Sequence, residues 1–181
     1  MTEVTLVIEG KRVNLRRMQA ADADDVVRWR SNPAILQELF ADEPPTCNGH
    51  LRWLVEIEKR GDRHEFIIVE RVTGRSIGTI GLSDIDRQNS RAEYGILIGE
   101  PDAHGKGYGR EASELILRYA FAELELHRVY LHVFADNVAA IRLYERAGFR
   151  LEGTLRQHAL KRGLFRDVIV MALLKDQWNN A

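Results

Sequence analysis

The chain has 181 residues, 45% of them hydrophobic, enough to bury one good core and too short to invite division into several domains. Its 26 Lys and Arg stand against 27 Asp and Glu, a net charge of -1, so no bulk positive field recruits nucleic acid and any anion site must be local. A lone cysteine, Cys47, excludes an internal disulfide and leaves no thiol framework for a metal.

The first residues, MTEVTLVIEGKRVNLRR, are charged and alternating where a secretory signal needs an unbroken apolar core, and no later segment stays apolar for ~18 residues. A cytoplasmic protein with no membrane partner is expected. VTLVI and RVNLRRM flank Gly10-Lys11 as a predicted hairpin. DADDVVRWRS and HLRWLVEIEKR carry helical patterning, the second introduced by Thr46 and Asn48 and stopped by Gly61. HEFIIVER, RSIGTIGLSDID and AEYGILIG read as extended, with a turn at Thr73-Gly74 between the first two.

A helix over residues 109–125 then leads to the strand RVYLHVF. NVAAIRLYERAG forms the next helix, begun at Asp136-Asn137 and ended at Gly148, and the tail gives two strands around Lys161-Arg162-Gly163. This order specifies one α/β (α+β) domain over residues 1–181. Its sheet is mixed and mostly antiparallel, about seven strands flanked by about four helices, with one strand-helix-strand crossover from about Tyr94 to Phe134.

In AHGKGYGREASELI, Gly105, Gly107 and Gly109 precede Ala112, Leu115, Ile116, Tyr119 and Ala120 at helical spacing. Glycine is costly inside a helix, so these residues form the loop that leads into it. A helix N-terminus carries unpaired N–H groups and a partial positive charge, and residues without Cβ let an anion's oxygens approach. The loop therefore suits a phosphate or pyrophosphate, a tight strand-to-helix turn being the plainer reading of the same glycines. It is no Walker loop, because Gly107 follows Lys106, and Arg110 stands where the dinucleotide fingerprint asks for a small residue.

Further on, FADNVAAIRLYERAGFRLEG has Asn137 as a helix cap and Ala140, Ile141, Tyr144 and Ala147 along one side of that helix. With both motifs in place, the sequence resembles the acetyl-coenzyme A-dependent N-acetyltransferases of the Gcn5-related (GNAT) superfamily. The family signature of Gln or Arg, two residues, Gly, one residue, then Gly or Ala corresponds to His104-Gly105-Lys106-Gly107-Tyr108-Gly109, and departs from it at His104. The second motif reads DNxxAIxLYExxGF.

The resemblance implies a V-shaped sheet with the thioester between the strands EYGILIG and VYLHVF. It implies that backbone amides of residues 104–110 hold the pyrophosphate and that Ile96, Leu97 and Ile98 offer amides and carbonyls to the pantetheine arm, with Gly99 allowing a bulge. Arg110 and Arg146 are placed to meet phosphates, and Asn137 is a cap that also contacts the coenzyme.

The chemistry sets three demands: an amine attacking a thioester must lose a proton, pass through an oxyanion and expel a thiolate. Tyr144 is the candidate acid, matching the tyrosine with which similar enzymes protonate the thiolate; an ordinary phenol titrates near ~10, where the rate should fall. Glu93, at the start of EYGILIG, is the candidate base, directly or through a water chain, with Glu100 and solvent as alternatives. His127 and His132 are not at helical ligand spacing, and no metal is expected.

The tail resembles ribosomal-protein alanine and spermidine N-acetyltransferases, whereas WRSNPAI and HLRWL resemble enzymes acetylating a 4-amino sugar on a nucleotide carrier. A basic acceptor would use Asp42, Glu43, Glu56 and Glu58; a nucleotide-sugar would use Trp29, Arg30, His50 and Trp53. The acceptor is thus a protein N-terminus, a polyamine or an amino sugar. An acyl-coenzyme A sensor of the same fold is the alternative, against which Tyr144 argues. Open edge strands in the tail, and the frequent dimerisation of related enzymes, point to a homodimer.

Overall fold

Val13 and Leu15 are fully buried while Asn14 and Arg16 are not, the two-residue period of a strand with one face on a core. The computed structural model describes residues 7–179. β1 (Val7–Glu9), β2 (Val13–Arg17), β3 (His64–Glu70), β4 (Ser76–Asp86), β5 (Arg91–Ile98), β6 (Arg128–Phe134), β7 (Arg150–Lys161) and β8 (Leu164–Leu174) form one sheet. Their order is β1-β2-β3-β4-β5-β6-β8-β7. The sheet thus has eight strands where about seven were expected; residues 4–6 of the predicted first strand lie outside the described residues.

Among the described residues six α-helices accompany it: α1 (Ala23–Ser31), α2 (Pro33–Leu36), α3 (Cys47–Arg60), α4 (Tyr108–Arg118), α5 (Val138–Arg146) and α6 (Lys175–Asn179). The short α2 and α6 account for the excess over four, α2 starting where Asn32 Oδ1 accepts the Ala34 amide at 3.0 Å. Thr46 caps α3 by accepting the Gly49 amide at 3.1 Å, and Gly61 ends it at φ 66°, both as the sequence predicts. The predicted 109–125 helix is α4 followed by a π turn, Tyr119–Glu123, closed by the Leu124 amide on the Tyr119 carbonyl at 3.0 Å.

Alternation sorts the side chains to two faces. Ala92 and Tyr94 of β5 pack with Ala112 and Ile116 of α4, with Tyr144 of α5 and with Ala147, which caps the end of α5. Leu97 of β5 and Ile67 of β3 pack instead with Val26 and Trp29 of α1 and with Leu54 and Ile57 of α3. At the end of β5 the Gly99 and Glu100 amides both donate to the Ile77 carbonyl, at 2.8 and 3.2 Å, the two-against-one pairing of a bulge, and a further register shift between β4 and β5 falls between Ser83 and Asp86. A Cβ on Gly99 would also lie 2.1 Å from Cγ of Trp29, so this glycine admits the indole as well.

One pairing departs from the antiparallel rule. β5 and β6 run parallel and pair only from Arg91, Ala92 and Glu93 to Arg128, Val129 and Tyr130. Among the described residues no helix is long and apolar enough to cross a membrane.

Candidate active site

Beyond Glu93 and Tyr130 the two parallel strands diverge, although β5 continues to Ile98 and β6 to Phe134. On that side β5 has no neighbour to take its backbone hydrogen bonds, which leaves main-chain groups along 94–98 for a ligand. A cleft of about 460 Å³ opens there, within the size range of small-molecule sites. It is lined from both faces of the sheet, by Tyr94, Ile96 and Val133 from the α4/α5 side and by Glu93, Gly95 and His132 from the α1/α3 side. The fork is therefore a passage through the sheet.

On the α4/α5 side, Tyr144 is 8% exposed and reaches the cleft. Burial pushes its phenol up to about 12. Its ring stands edge-on to Tyr94 at 5.8 Å and to Phe149 at 6.1 Å. The Tyr94 hydroxyl shares a 2.7 Å hydrogen bond with Ser113, which donates to the Gly109 carbonyl at 2.7 Å. Tyr94 thereby ties the forked strand to the first turn of α4, a role the sequence does not announce.

The glycine loop has the expected conformation, with Gly105 at φ 72° and Gly107 at φ 82°. Gly107 is the N-cap of α4 and offers no side-chain cap, so no capping side chain takes up the first-turn amides. That arrangement fits a pyrophosphate. Tyr108 points inward, donating its hydroxyl to Glu70 with the Arg12 guanidinium 4.7 Å from its ring centroid, so it offers the loop only its backbone. Arg12 Nη1 also lies 3.4 Å from where a Cβ on Gly107 would stand, a cation beside the loop that sequence reasoning missed.

His104 Nε2 lies 2.9 Å from the Ile98 carbonyl oxygen, joining the loop to the end of β5, and both residues line the cleft with Leu97. Asn137 also lines it and caps α5, its Oδ1 accepting the Ala140 amide at 3.1 Å. Lys106, Arg110 and Arg146 are exposed and lie off the cleft lining, Arg110 being paired with Glu114 at 3.0 Å.

On the α1/α3 side, Glu93 Oε1 lies 2.7 Å from His132 Nδ1. Glu100, the rival base, accepts the Trp29 indole N–H and an Arg28 N–H, each at 2.7 Å. Those two bonds, the indole's first, hold its carboxyl below the ordinary range, and it lies outside the cleft lining. Of the carboxylates expected to face a basic acceptor, Asp42 turns to Lys161 at 3.4 Å, and Glu43, Glu56 and Glu58 are exposed elsewhere. The cleft carboxylates are Glu38, Glu65 and Glu93.

Of the residues suited to a nucleotide-sugar, only Arg30 lines the cleft. Trp29 is core, and His50 is buried with its ring stacked on Trp53 at 5.2 Å. Gly81 and Gly95 pair across β4 and β5 on the cleft floor. Glu65, ion-paired with Arg63 at 3.1 Å and pushed up by burial, lies so close over Gly81 that a Cβ there would sit 2.5 Å from its Oε2. Over Gly95 nothing lies within 4 Å.

An uncapped helix start for a pyrophosphate, a strand edge for an extended arm and a passage to the opposite face are what acyl transfer from a coenzyme A thioester to an amine requires, which places the protein among the coenzyme A-dependent acyltransferases. A profile of the acetyltransferase (GNAT) domain matches residues 12–150, and the chain belongs to that family. It is an acetyl-coenzyme A-dependent N-acetyltransferase.

Among its relatives, the spermidine N(1)-acetyltransferase of Vibrio cholerae is 30% identical over 171 residues, 94% of this chain and 98% of that protein. The spermidine N(1)-acetyltransferase of Escherichia coli K12 is 30% identical over 92% of this chain and 88% of its own length. The crystal structure of spermidine N-acetyltransferase from Vibrio cholerae in complex with CoA and spermine superposes with a TM-score of 0.88 at 27% identity, covering 94% of this chain and 100% of that one.

Proposed function

We propose that the protein acetylates a primary amine of a polyamine, the amine approaching from the α1/α3 face while coenzyme A lies against α4 and α5. The observation that carries this reading is the passage at the end of the Glu93–Tyr130 pairing, a geometry suited to two reactants that enter from opposite faces and meet in one cleft. Glu38, Glu65 and Glu93 on the cleft favour a cationic acceptor, and the relatives named as spermidine acetyltransferases support the same class.

In this reading residues 1–181 act as one acetyltransferase domain. Main-chain groups of Ile96, Leu97 and Ile98 hold the pantetheine arm and the acyl oxygen, and amides of residues 104–110 take the pyrophosphate, with Arg12 adding charge beside them. Asn137 meets the arm from the start of α5, and Arg110 and Arg146 supply outer positive charge. Tyr144 donates its proton to the departing sulfur. The ammonium proton leaves on the α1/α3 side of the cleft, where Glu93 lies.

The β7–β8 hairpin at the sheet edge exposes Leu151, Leu160, Leu164 and Phe165, and a second copy of the chain covers it in a cytoplasmic homodimer. Light scattering should return twice the 20.7 kDa chain mass. Thiol release from acetyl-coenzyme A across spermidine, spermine, an amino sugar and a peptide N-terminus tests the acceptor, with turnover on the polyamines expected. Tight calorimetric binding of acetyl-coenzyme A without turnover on any amine would make the protein a sensor.

A further inference from the structure

We propose that His132 is the catalytic base, taking the acceptor's ammonium proton on Nε2, and that Glu93 is the positioning carboxylate that holds the ring by Nδ1. The inference deepens the acetyl-transfer reading above and rests on it. Glu93 is the last β5 residue paired with β6, and His132 lies two residues past its partner Tyr130, on the same face. The two side chains therefore meet diagonally across the point where the strands part, at 2.7 Å. They are 28% and 30% exposed, open enough to reach a bound amine rather than sealed in the core.

A carboxylate on Nδ1 selects the tautomer. Nδ1–H donates to Glu93, and the Nε2 lone pair is left facing outward. Among the described residues no hydrogen bond engages Nε2. Tyr130 meets the imidazole edge-on at 5.9 Å, which limits its rotation about the Glu93 bond. The open space over Gly95, on the next cleft-facing position of β5, gives the amine a place beside the ring.

The other carboxylates on or near the cleft each face a cation. Glu65 pairs with Arg63 and Glu100 is held by Trp29 and Arg28, while Glu38, its Oε2 buried without a hydrogen bond, faces the Arg166 guanidinium at 3.7 Å. Of the pair at the fork, the imidazole is the member with an acceptor atom facing no partner, and the carboxylate is the member that orients it.

The proton count closes. The ammonium gives one proton to Nε2, which passes it to solvent; the freed lone pair forms the C–N bond. As the C–S bond breaks, the sulfur takes its proton from the Tyr144 hydroxyl, which refills from water, and the nitrogen's second proton leaves through the same imidazole. One acetyl group moves and one proton is released overall.

The test uses the full chain with spermidine and acetyl-coenzyme A at pH 7. His132→Asn retains a donor near the Nδ1 position and removes Nε2; it should lower kcat about a hundredfold with the acetyl-coenzyme A KM unchanged. In His132→Gly, added imidazole should restore at least tenfold of the lost rate, which a purely structural role would not allow. Glu93→Gln should lower kcat at constant KM, and imidazole should not rescue it. His132→Asn turnover within twofold of wild type, or His132→Gly that stays dead with imidazole while its melting temperature is unchanged, overturns the proposal. Wild type inert toward spermidine overturns the acceptor reading, and this one with it.

Discussion

The Tyr94 and Tyr144 rings meet edge to face, their centroids 5.8 Å apart and their planes at 86°. Because Tyr94 is anchored through Ser113 to the start of α4, that contact sets where the Tyr144 hydroxyl sits in the cleft. The ring is held by packing and the hydroxyl by no residue among those described. Tyr144→Phe should therefore keep the fold, with its melting temperature within a few degrees of wild type, and lower turnover by ~10². Unchanged turnover in the purified variant would exclude Tyr144 as the acid.

Burial also moves the expected upper limb of the pH profile. With the phenol pushed up to about 12, the rate should hold through the region near ~10 where an ordinary tyrosine ionises. The same desolvation raises the proton affinity of the departing thiolate, so the donor and acceptor of that proton move together. A fall near pH 10 that persists in Tyr144→Phe belongs to another group.

Gly107 sits at φ 82° with Arg12 close by, so Gly107→Val places a branched side chain in a backbone region costing ~1–2 kcal/mol and crowds the helix start. Coenzyme A affinity should drop at least tenfold by calorimetry, while desulfo-coenzyme A still binds the unaltered protein. Equal affinity in the variant would remove the loop from the pyrophosphate site.

Gly95 predicts the opposite balance. A Cβ there meets nothing within 4 Å, and valine suits a strand, so Gly95→Val should fold at least as stably as wild type. Its branches would fill the acceptor's place, raising the amine KM by ~10-fold or more with acetyl-coenzyme A binding within twofold. A variant with wild-type amine KM would show that the acceptor lies elsewhere.

His64 makes stability depend on pH. Burial first, then the nearby Arg17 and Arg87, lower its imidazole to about 4, and Tyr119 shares a 2.9 Å hydrogen bond with Nδ1. A depressed folded-state value means the unfolded chain binds the proton more readily, so stability is full above the ordinary ~6.5 and is lost as pH falls towards 4. The loss is at most about 3 kcal/mol, less whatever solvent screening removes. His64→Asn should flatten the denaturant midpoint between pH 6.5 and 4; an undiminished slope would assign the titration to other groups.

Much of this protein is legible in the sequence because it is local. Thr46 and Gly61 bound α3, Asn137 caps α5, and Gly105 and Gly107 take the left-handed angles that only a residue without Cβ adopts cheaply. Periodicity placed Tyr144 on the buried side of its helix, and the two motifs together pointed to coenzyme A. These features depend on residues within a turn or two of one another, where spacing and side-chain type suffice.

The tertiary structure alone decided what meets across the chain. Glu93 and His132, 39 residues apart, come together only because the parallel pairing of β5 with β6 stops at Glu93 and Tyr130. Glu100 is taken up by Trp29 from α1, Gly99 makes room for that same indole, and Arg12 reaches the glycine loop from the first hairpin. The carboxylates of the cleft are Glu38, Glu65 and Glu93 rather than those of α3 or the ADEPP segment. Each of these depends on strand register and on where a ladder ends. A shift of one residue would turn every side chain of a strand to the other face, and no local pattern in either partner records which register the assembled sheet adopts.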